Sequence, residues 1–293
     1  MTAAARLTQY ALLMRLHRPI GIFLLLWPTL WGLWFASGGQ PDAHVSLVFV
    51  LGVVLMRSAG CVINDYADRD FDPHVARTRD RPIAAGRVTP RAALVLFAVL
   101  CLIAFALVLT LNRLAILLSL VGAFLAATYP FLKRYTHLPQ FYLGAAFGWS
   151  IPMAFAAHSD AGSSLAGALP PLTWVLFAAN VCWSVAYDTM YAMVDRADDQ
   201  RVGVKSTAIL FGRYDRVMVG VFHALTVTLL VVAGVIAALG LLYYCGLAAA
   251  TALAVHQQWL IRERAPEACF KAFLSNNRFG AIVFLGLVLD YYG

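Results

Sequence analysis

Asn64, Asp68 and Asp72 stand at i, i+4 and i+8 in the segment "NDYADRDFD". On a helix that spacing puts one amide and two carboxylates on a single face. A second acidic segment, "YDTMYAMVDRADD" from Tyr187, carries Asp188, Asp195 and Asp199 at i, i+7 and i+11, again one face, with Tyr191 beside it. Asp65, Asp70 and Asp198 point off these faces. Carboxylates that converge without counter-charge repel one another and rise in pKa. A hard divalent cation resolves the conflict, and magnesium in particular favours carboxylate oxygen, keeps water and bridges to phosphates. The chemistry indicated is capture of a metal-bound diphosphate.

The nearby cations suit such an anion. Arg57, Arg77, Arg79, Arg81, Lys133 and Lys205 could clamp phosphate oxygens by charge-assisted hydrogen bonds. Arg57 is the most telling. It lies seven residues before Asn64, on the same face, about two turns inside an apolar run where an unpaired charge is costly. Taken singly, Arg77, Arg79 and Arg81 are better explained as ordinary basic loop residues, and Lys133 and Arg134 as interfacial anchors. In "TYPFLKRYTHLPQ", Tyr129 and Lys133 share a face at i, i+4, so this loop can add cations to the same mouth. Pro73 disfavours helical geometry at Asp72 and predicts a helix ending there.

These residues must be positioned by membrane-length helices. Of 293 residues, 61% are hydrophobic and 13% charged, and the mean hydropathy is +0.75. Soluble domains are nearer half apolar and a quarter charged. The apolar runs are continuous rather than alternating, which excludes a β-barrel and predicts an all-α, polytopic membrane protein. Nine spans are expected, at 19–37, 45–64, 92–111, 114–131, 141–157, 172–191, 217–239, 241–260 and 273–292. Both acidic segments then follow span ends. Nineteen of the 22 Lys and Arg fall in the N-terminal segment and the even-numbered loops, against Arg113 in the opposite loops. By the positive-inside rule the N-terminus and active-site loops are cytoplasmic and the C-terminus lies outside. The N-terminal 21 residues lack the order of a signal peptide and read as an amphipathic surface segment. The loop 69–89, rich in Asp, Pro, Gly and Arg, predicts a lid.

Other classes fit poorly. The net charge of +7 follows from topology, and no aromatic-basic nucleic-acid motif accompanies it. The five cysteines are scattered, without a CxxC pair, and the seven histidines lack zinc spacing. A cation transporter would hold its ligands near the bilayer midplane, whereas both acidic segments lie at span ends on one side. A non-catalytic scaffold leaves two matched carboxylate faces unexplained.

Together these residues resemble the UbiA-type intramembrane aromatic prenyltransferases. The NDxxDxxxD motif of that family is matched by Asn64 to Asp72, its DxxxD by Asp195 to Asp199 and its YxxxK by Tyr129 to Lys133. The likeness extends through "RPIGIFLLLWPTLWGLW" and "KSTAILFG". Within the family, "YDTMYAMVDRADD" and "KRYTHLPQ" look most like members that act on 4-hydroxybenzoate in ubiquinone biosynthesis; homogentisate or a tetrapyrrole is the alternative acceptor. The resemblance implies a single integral-membrane domain over 1–293, with nine helices around a central cavity and the active site at its cytoplasmic end. It implies two Mg2+ ions, held by Asn64, Asp68 and Asp72 on one side and Asp195 and Asp199 on the other, binding a polyprenyl diphosphate whose tail reaches the lipid bilayer. It leaves Arg57, Arg77, Arg81, Lys133 and Lys205 to the diphosphate. Asp188 would orient or deprotonate the phenol, and Arg134 would pair with the acceptor carboxylate. Tyr191, with Tyr129, Tyr187 and Trp183, would face the allylic cation. A bacterial inner membrane is the implied location.

Overall fold

The computed structural model describes residues 2–74, 78–160 and 162–293. Among them every regular element is a helix: α1 (Ala3–Leu13), α2 (Ile20–Ala36), α3 (Ala43–Ala67), α4 (Pro90–Val108), α5 (Arg113–Leu132), α6 (Pro139–Gly148), α7 (Ser150–His158), α8 (Leu165–Ala168), α9 (Pro171–Val202), α10 (Thr207–Phe211), α11 (Asp215–Ile236), α12 (Leu241–Leu260) and α13 (Pro266–Tyr292), with three short 3-10 turns.

Local chemistry sets many of the boundaries. Asp42, Thr89 and Asn112 accept the backbone N–H three residues on and so cap α3, α4 and α5. Pro90, Pro139, Pro171 and Pro266 open their helices, where the missing N–H costs nothing. Gly203, at φ 75°, closes α9 in the left-handed conformation.

Among the described residues, five helical stretches are long and apolar enough to cross a membrane: Ala43–Ala67, Pro90–Val108, Arg113–Leu132, Thr207–Ile236 and Pro266–Tyr292. Ile20–Ala36 is a shorter apolar helix. In α4 and α5 only 17% and 11% of the apolar window is buried inside the protein. Their exposed Leu94, Val95, Leu102, Leu120 and Phe124 are stable only against hydrocarbon.

The core lies where α2, α9 and α13 meet. Trp31 and Trp183 are fully buried with ring centroids 5.1 Å apart, and Phe279 stacks on Trp183 at 5.5 Å. Three indole N–H groups here find acceptors: Trp31 Nε1 donates to the Gly280 carbonyl at 3.2 Å, Trp27 Nε1 to Asn277 Oδ1 at 2.8 Å and Trp183 Nε1 to Asn276 Oδ1 at 2.9 Å. Gly246 and Gly286 let α12 and α13 touch backbone to backbone, since a Cβ on Gly246 would lie 2.9 Å from the Gly286 Cα.

Three expectations need correction. The stretch 141–157 is not one helix: α6 and α7 break at Trp149, because Pro152 has no N–H for the Gly148 carbonyl. Helix α3 ends at Ala67, with Asp68 as its cap and Asp72 on a 3-10 turn, so Asp72 is not on the helical face of Asn64 and Asp68. The N-terminal segment is more than a surface helix, for Leu13 at the end of α1 is fully buried against Ala59, Val62, Ile83 and Val88.

Candidate active site

A cavity of about 980 Å³ has Asn64, Asp68 and Asp72 on one wall and Asp188, Asp195 and Asp199 on another. Helix α9 runs unbroken for 32 residues. That continuity carries the second acidic face from the apolar core to the cavity mouth. Seven residues separate Asp188 from Asp195, and Arg57 from Asn64, so each pair spans about 10 Å along its helix. The cavity therefore has two polar layers: the two acidic motifs at the mouth, and Arg57 with Asp188 below them, close enough for their charges to interact. Tyr129, Phe147, Tyr187, Tyr191, Phe270 and Phe273 line it with aromatic rings, and the Tyr191 and Phe273 centroids are 4.8 Å apart. The wall continues over Cys101, Ala104 and Phe105 of α4 and Ser119, Gly122 and Ala123 of α5, the two spans least buried inside the protein.

The first motif is held by charge. Asp68 is buried, accepts from Asn64 Nδ2 at 3.1 Å and pairs with the Lys133 ammonium at 2.5 Å. Lys133 reaches it from the C-cap of α5. Asp72 accepts from Arg81 Nη1 at 2.9 and 3.1 Å. The same Nη1 lies 3.2 Å from Asp65 Oδ1, which Arg15 Nη2 approaches to 2.6 Å. Burial raises the Asp72 carboxyl above the usual carboxylate range; Arg81 pulls it back, and the charges of Asp68 and Asp65 add to the rise.

The other expected residues are placed unequally. Arg57, Asn64, Arg81, Lys133, Tyr191 and Lys205 all line the cavity, but the Lys205 ammonium is turned to the Tyr135 carbonyl at 3.1 Å. Arg134 is not on the cavity wall. Its guanidinium donates to the Ala67 carbonyl at the end of α3 and lies 5.0 Å over the Phe71 ring. It satisfies a terminal carbonyl that the helix leaves open. Trp183 is also away from the wall, fully buried behind Tyr187. Arg77 lies outside the described residues. Sequence reasoning missed Arg15 and Asp65, both cavity-lining, and the aromatic pair Phe270 and Phe273. Asp65 was set aside for facing away from Asn64, yet a carboxylate 1% exposed needs a cationic partner. The nearer of its two partners in space, Arg15, is 50 residues distant in the chain.

The pooled donors at the mouth are oxygens only, which suits Mg2+ and not zinc. Among the described residues no three His, Cys, Asp or Glu side chains already converge as on an ion. Mg2+ is usually held by one or two carboxylates together with water and substrate phosphates, so this donor set fits an ion that arrives with a diphosphate. Ionised carboxylate is needed for that binding. Affinity for Mg2+ with diphosphate should therefore fall as pH drops and Asp72 takes up a proton, sooner than for an ordinary carboxylate. Calorimetry over a pH series measures this, and a pH-independent affinity would contradict it.

The description of the UbiA prenyltransferase family matches residues 25–284 of this chain. The chain belongs to the UbiA prenyltransferase family. Among its relatives, the 4-hydroxybenzoate octaprenyltransferase of Alkalilimnicola ehrlichii is 62% identical over 98% of this chain and 96% of the relative. The protein of the same name from Methylococcus capsulatus is 61% identical over the same shares. The apo structure of a UbiA homolog from Aeropyrum pernix K1 superposes with a TM-score of 0.83 at 28% identity, covering 92% of this chain and 97% of that one. A UbiA homolog from Archaeoglobus fulgidus, solved with GPP and Mg2+, shares the fold at a TM-score of 0.71 and 17% identity, covering 97% of this chain and all of the other. The apolar spans and the UbiA membership together make this chain an integral membrane protein.

Proposed function

We propose that this chain transfers a polyprenyl group from its diphosphate to 4-hydroxybenzoate, ortho to the hydroxyl, in ubiquinone biosynthesis. The observation that carries the reading is the single cavity into which both acidic motifs open, with an aromatic wall beneath them and an apolar extension toward lipid. The donor's allylic C–O bond breaks and the diphosphate leaves with the electron pair. The ring carbon attacks the allylic cation, and the ring then loses its proton.

Asn64, Asp68 and Asp72 from one wall and Asp195 and Asp199 from the other would hold two Mg2+ ions. Mg2+ bound there would supply neutralisation of the departing diphosphate charge. Lys133 and Arg81, now paired with Asp68 and Asp72, are within reach of the same anion, and Lys205 joins them once it leaves Tyr135. Tyr191, Phe270 and Phe273 shield the cation from water and turn ring faces to it. In the lower layer Asp188 orients the phenol and accepts its proton. Arg134 is committed elsewhere, so Arg57 is the cation that meets the acceptor carboxylate rather than the diphosphate. The tail runs between α4 and α5 into the bilayer. The whole chain acts as one domain of nine spans around this cavity, in a bacterial inner membrane, with the N-terminus and the site cytoplasmic and the C-terminus opposite. The octaprenyl transferases among its relatives make an eight-isoprene diphosphate the first donor to test.

The test is acceptor choice. Membranes containing the protein should prenylate 4-hydroxybenzoate and leave homogentisate unchanged; the reverse would reassign the acceptor while keeping the diphosphate site.

Gly21 offers a finer test. A Cβ there would lie 2.2 Å from Arg57 Nε and 2.4 Å from Nη2. Gly21→Ala must displace the guanidinium, the movable end of that side chain, while alanine suits helix α2 better than glycine. The KM for 4-hydroxybenzoate should rise about tenfold, with donor KM and thermal stability unchanged. A rise in donor KM instead would return Arg57 to the diphosphate.

A further inference from the structure

The N-terminal segment delivers a charge to the first motif. Arg15 follows α1 with φ 56°, a conformation uncommon outside glycine. The turn is held by Arg15 N–H to the Leu12 carbonyl and Arg18 N–H to the Arg15 carbonyl, both at 3.0 Å. It sends the guanidinium to Asp65 Oδ1 at 2.6 Å. Arg81 is shared. One nitrogen, Nη1, serves Asp65 at 3.2 Å and both oxygens of Asp72 at 2.9 and 3.1 Å. The group thus holds two buried carboxylates and two guanidiniums, and all four residues line the cavity.

A metal at Asp72 would compete with Arg81 for the carboxylate's lone pairs and weaken a contact now shared over both oxygens at 2.9 and 3.1 Å. That frees Arg81 to turn from Asp72 toward the incoming diphosphate. Were Arg81 the partner of both aspartates, its departure would leave Asp65 charged and unpaired in a buried place, a strongly unfavourable state. Arg15 removes that obstacle, because Asp65 stays paired after Arg81 leaves. The geometry points to Arg15 as a positioning residue that keeps Asp65 neutralised so that Arg81 can be exchanged from Asp72 to the substrate diphosphate. This role rests on the proposed diphosphate site and extends it to a residue outside the two acidic motifs. Asp65 then takes no part in holding metal; it is the fixed end of the exchange.

The test uses inorganic pyrophosphate with Mg2+, titrated calorimetrically into the full-length protein in nanodiscs, beside donor and acceptor kinetics. Arg15→Ala should weaken pyrophosphate binding by about tenfold or more, raising donor KM and leaving acceptor KM alone. Arg15→Lys, which keeps the charge, should lie close to the parent protein. The deciding variant is Arg15→Ala combined with Asp65→Asn. With the buried charge gone, Arg81 is again free to leave, and pyrophosphate affinity should recover although Arg15 is still absent. A merely structural Arg15 gives no such rescue, since the double variant removes more contacts than the single. Arg15→Ala with unchanged affinity, or a double variant no tighter than Arg15→Ala, would overturn the proposal. Should the parent protein itself bind no pyrophosphate with Mg2+, the diphosphate site falls, and the role of Arg15 with it.

Discussion

Asp68→Ala and Asp195→Ala are each expected to lower prenyl transfer by about 10²–10³-fold or more, the scale seen when one preorganised group that stabilises developing charge is removed. Asp68 sits 5% exposed at the cap of α3, and Asp195 two turns above Asp188 on α9. They come from segments 127 positions apart in the chain and meet on one cavity. Removing Asp68 also frees the Lys133 ammonium it now holds, leaving a positive charge at the proposed metal position. On the proposed site both aspartates serve one diphosphate, so their effects should be far from additive: the double variant should be little worse than the poorer single. Initial-rate kinetics on the three variants in vesicles, with thermal unfolding to establish folding, provide the check. Multiplicative losses would mean two independent sites.

Asp215→Ala should produce the largest loss of stability. Asp215 is fully buried at the start of α11 and accepts from Arg196 Nη1 at 3.0 Å, from Arg264 Nε at 2.9 and 3.1 Å and from its neighbour's backbone N–H at 2.7 Å. Arg196 also donates to the carbonyls of Ala208 and Gly212. One carboxylate therefore ties α9, α10, α11 and the loop before α13. Removing one partner of a buried pair costs about 3–5 kcal/mol. The arginine side chains here are 25% and 35% exposed, so water recovers part of that and about 3 kcal/mol is expected. The exposed pair Arg262–Glu263 is the control, and Glu263→Ala should change stability by no more than about 0.5 kcal/mol. Denaturant unfolding in detergent separates the two. Equal effects would show that the Asp215 cluster does not clamp the helices. Arg196 adjoins Asp195, so loss of the clamp should also loosen the second motif and raise donor KM.

What could be read in the sequence was what short-range chemistry dictates. Asp188, Asp195 and Asp199 share a face because α9 is an uninterrupted helix, and their spacing alone shows it. Asn64 and Asp68 were legible for the same reason. Asp72 was not, since α3 stops at Ala67 and a 3-10 turn, rather than helical periodicity, brings Asp72 to the cavity. The break at Trp149 was signalled by Pro152, but a proline in an apolar span is sometimes tolerated, as Pro28 is inside α2. Arg134 looked like a free cation beside Lys133; its real partner is a helix-end carbonyl 67 residues earlier. Arg15 with Asp65 is the same kind of case. Such pairings depend on which helices pack together, and periodicity within one segment carries no record of that.

The most direct test of the account is transfer of an octaprenyl group to 4-hydroxybenzoate by the purified protein in lipid vesicles, with Mg2+ and then with a chelator, following both the aromatic product and released diphosphate. The expected result is a product alkylated ortho to the hydroxyl, one diphosphate for each product molecule, and loss of both on chelation with recovery when Mg2+ is restored. Product formed at the same rate without divalent metal, or diphosphate released with no ring alkylation at any donor length, would contradict it.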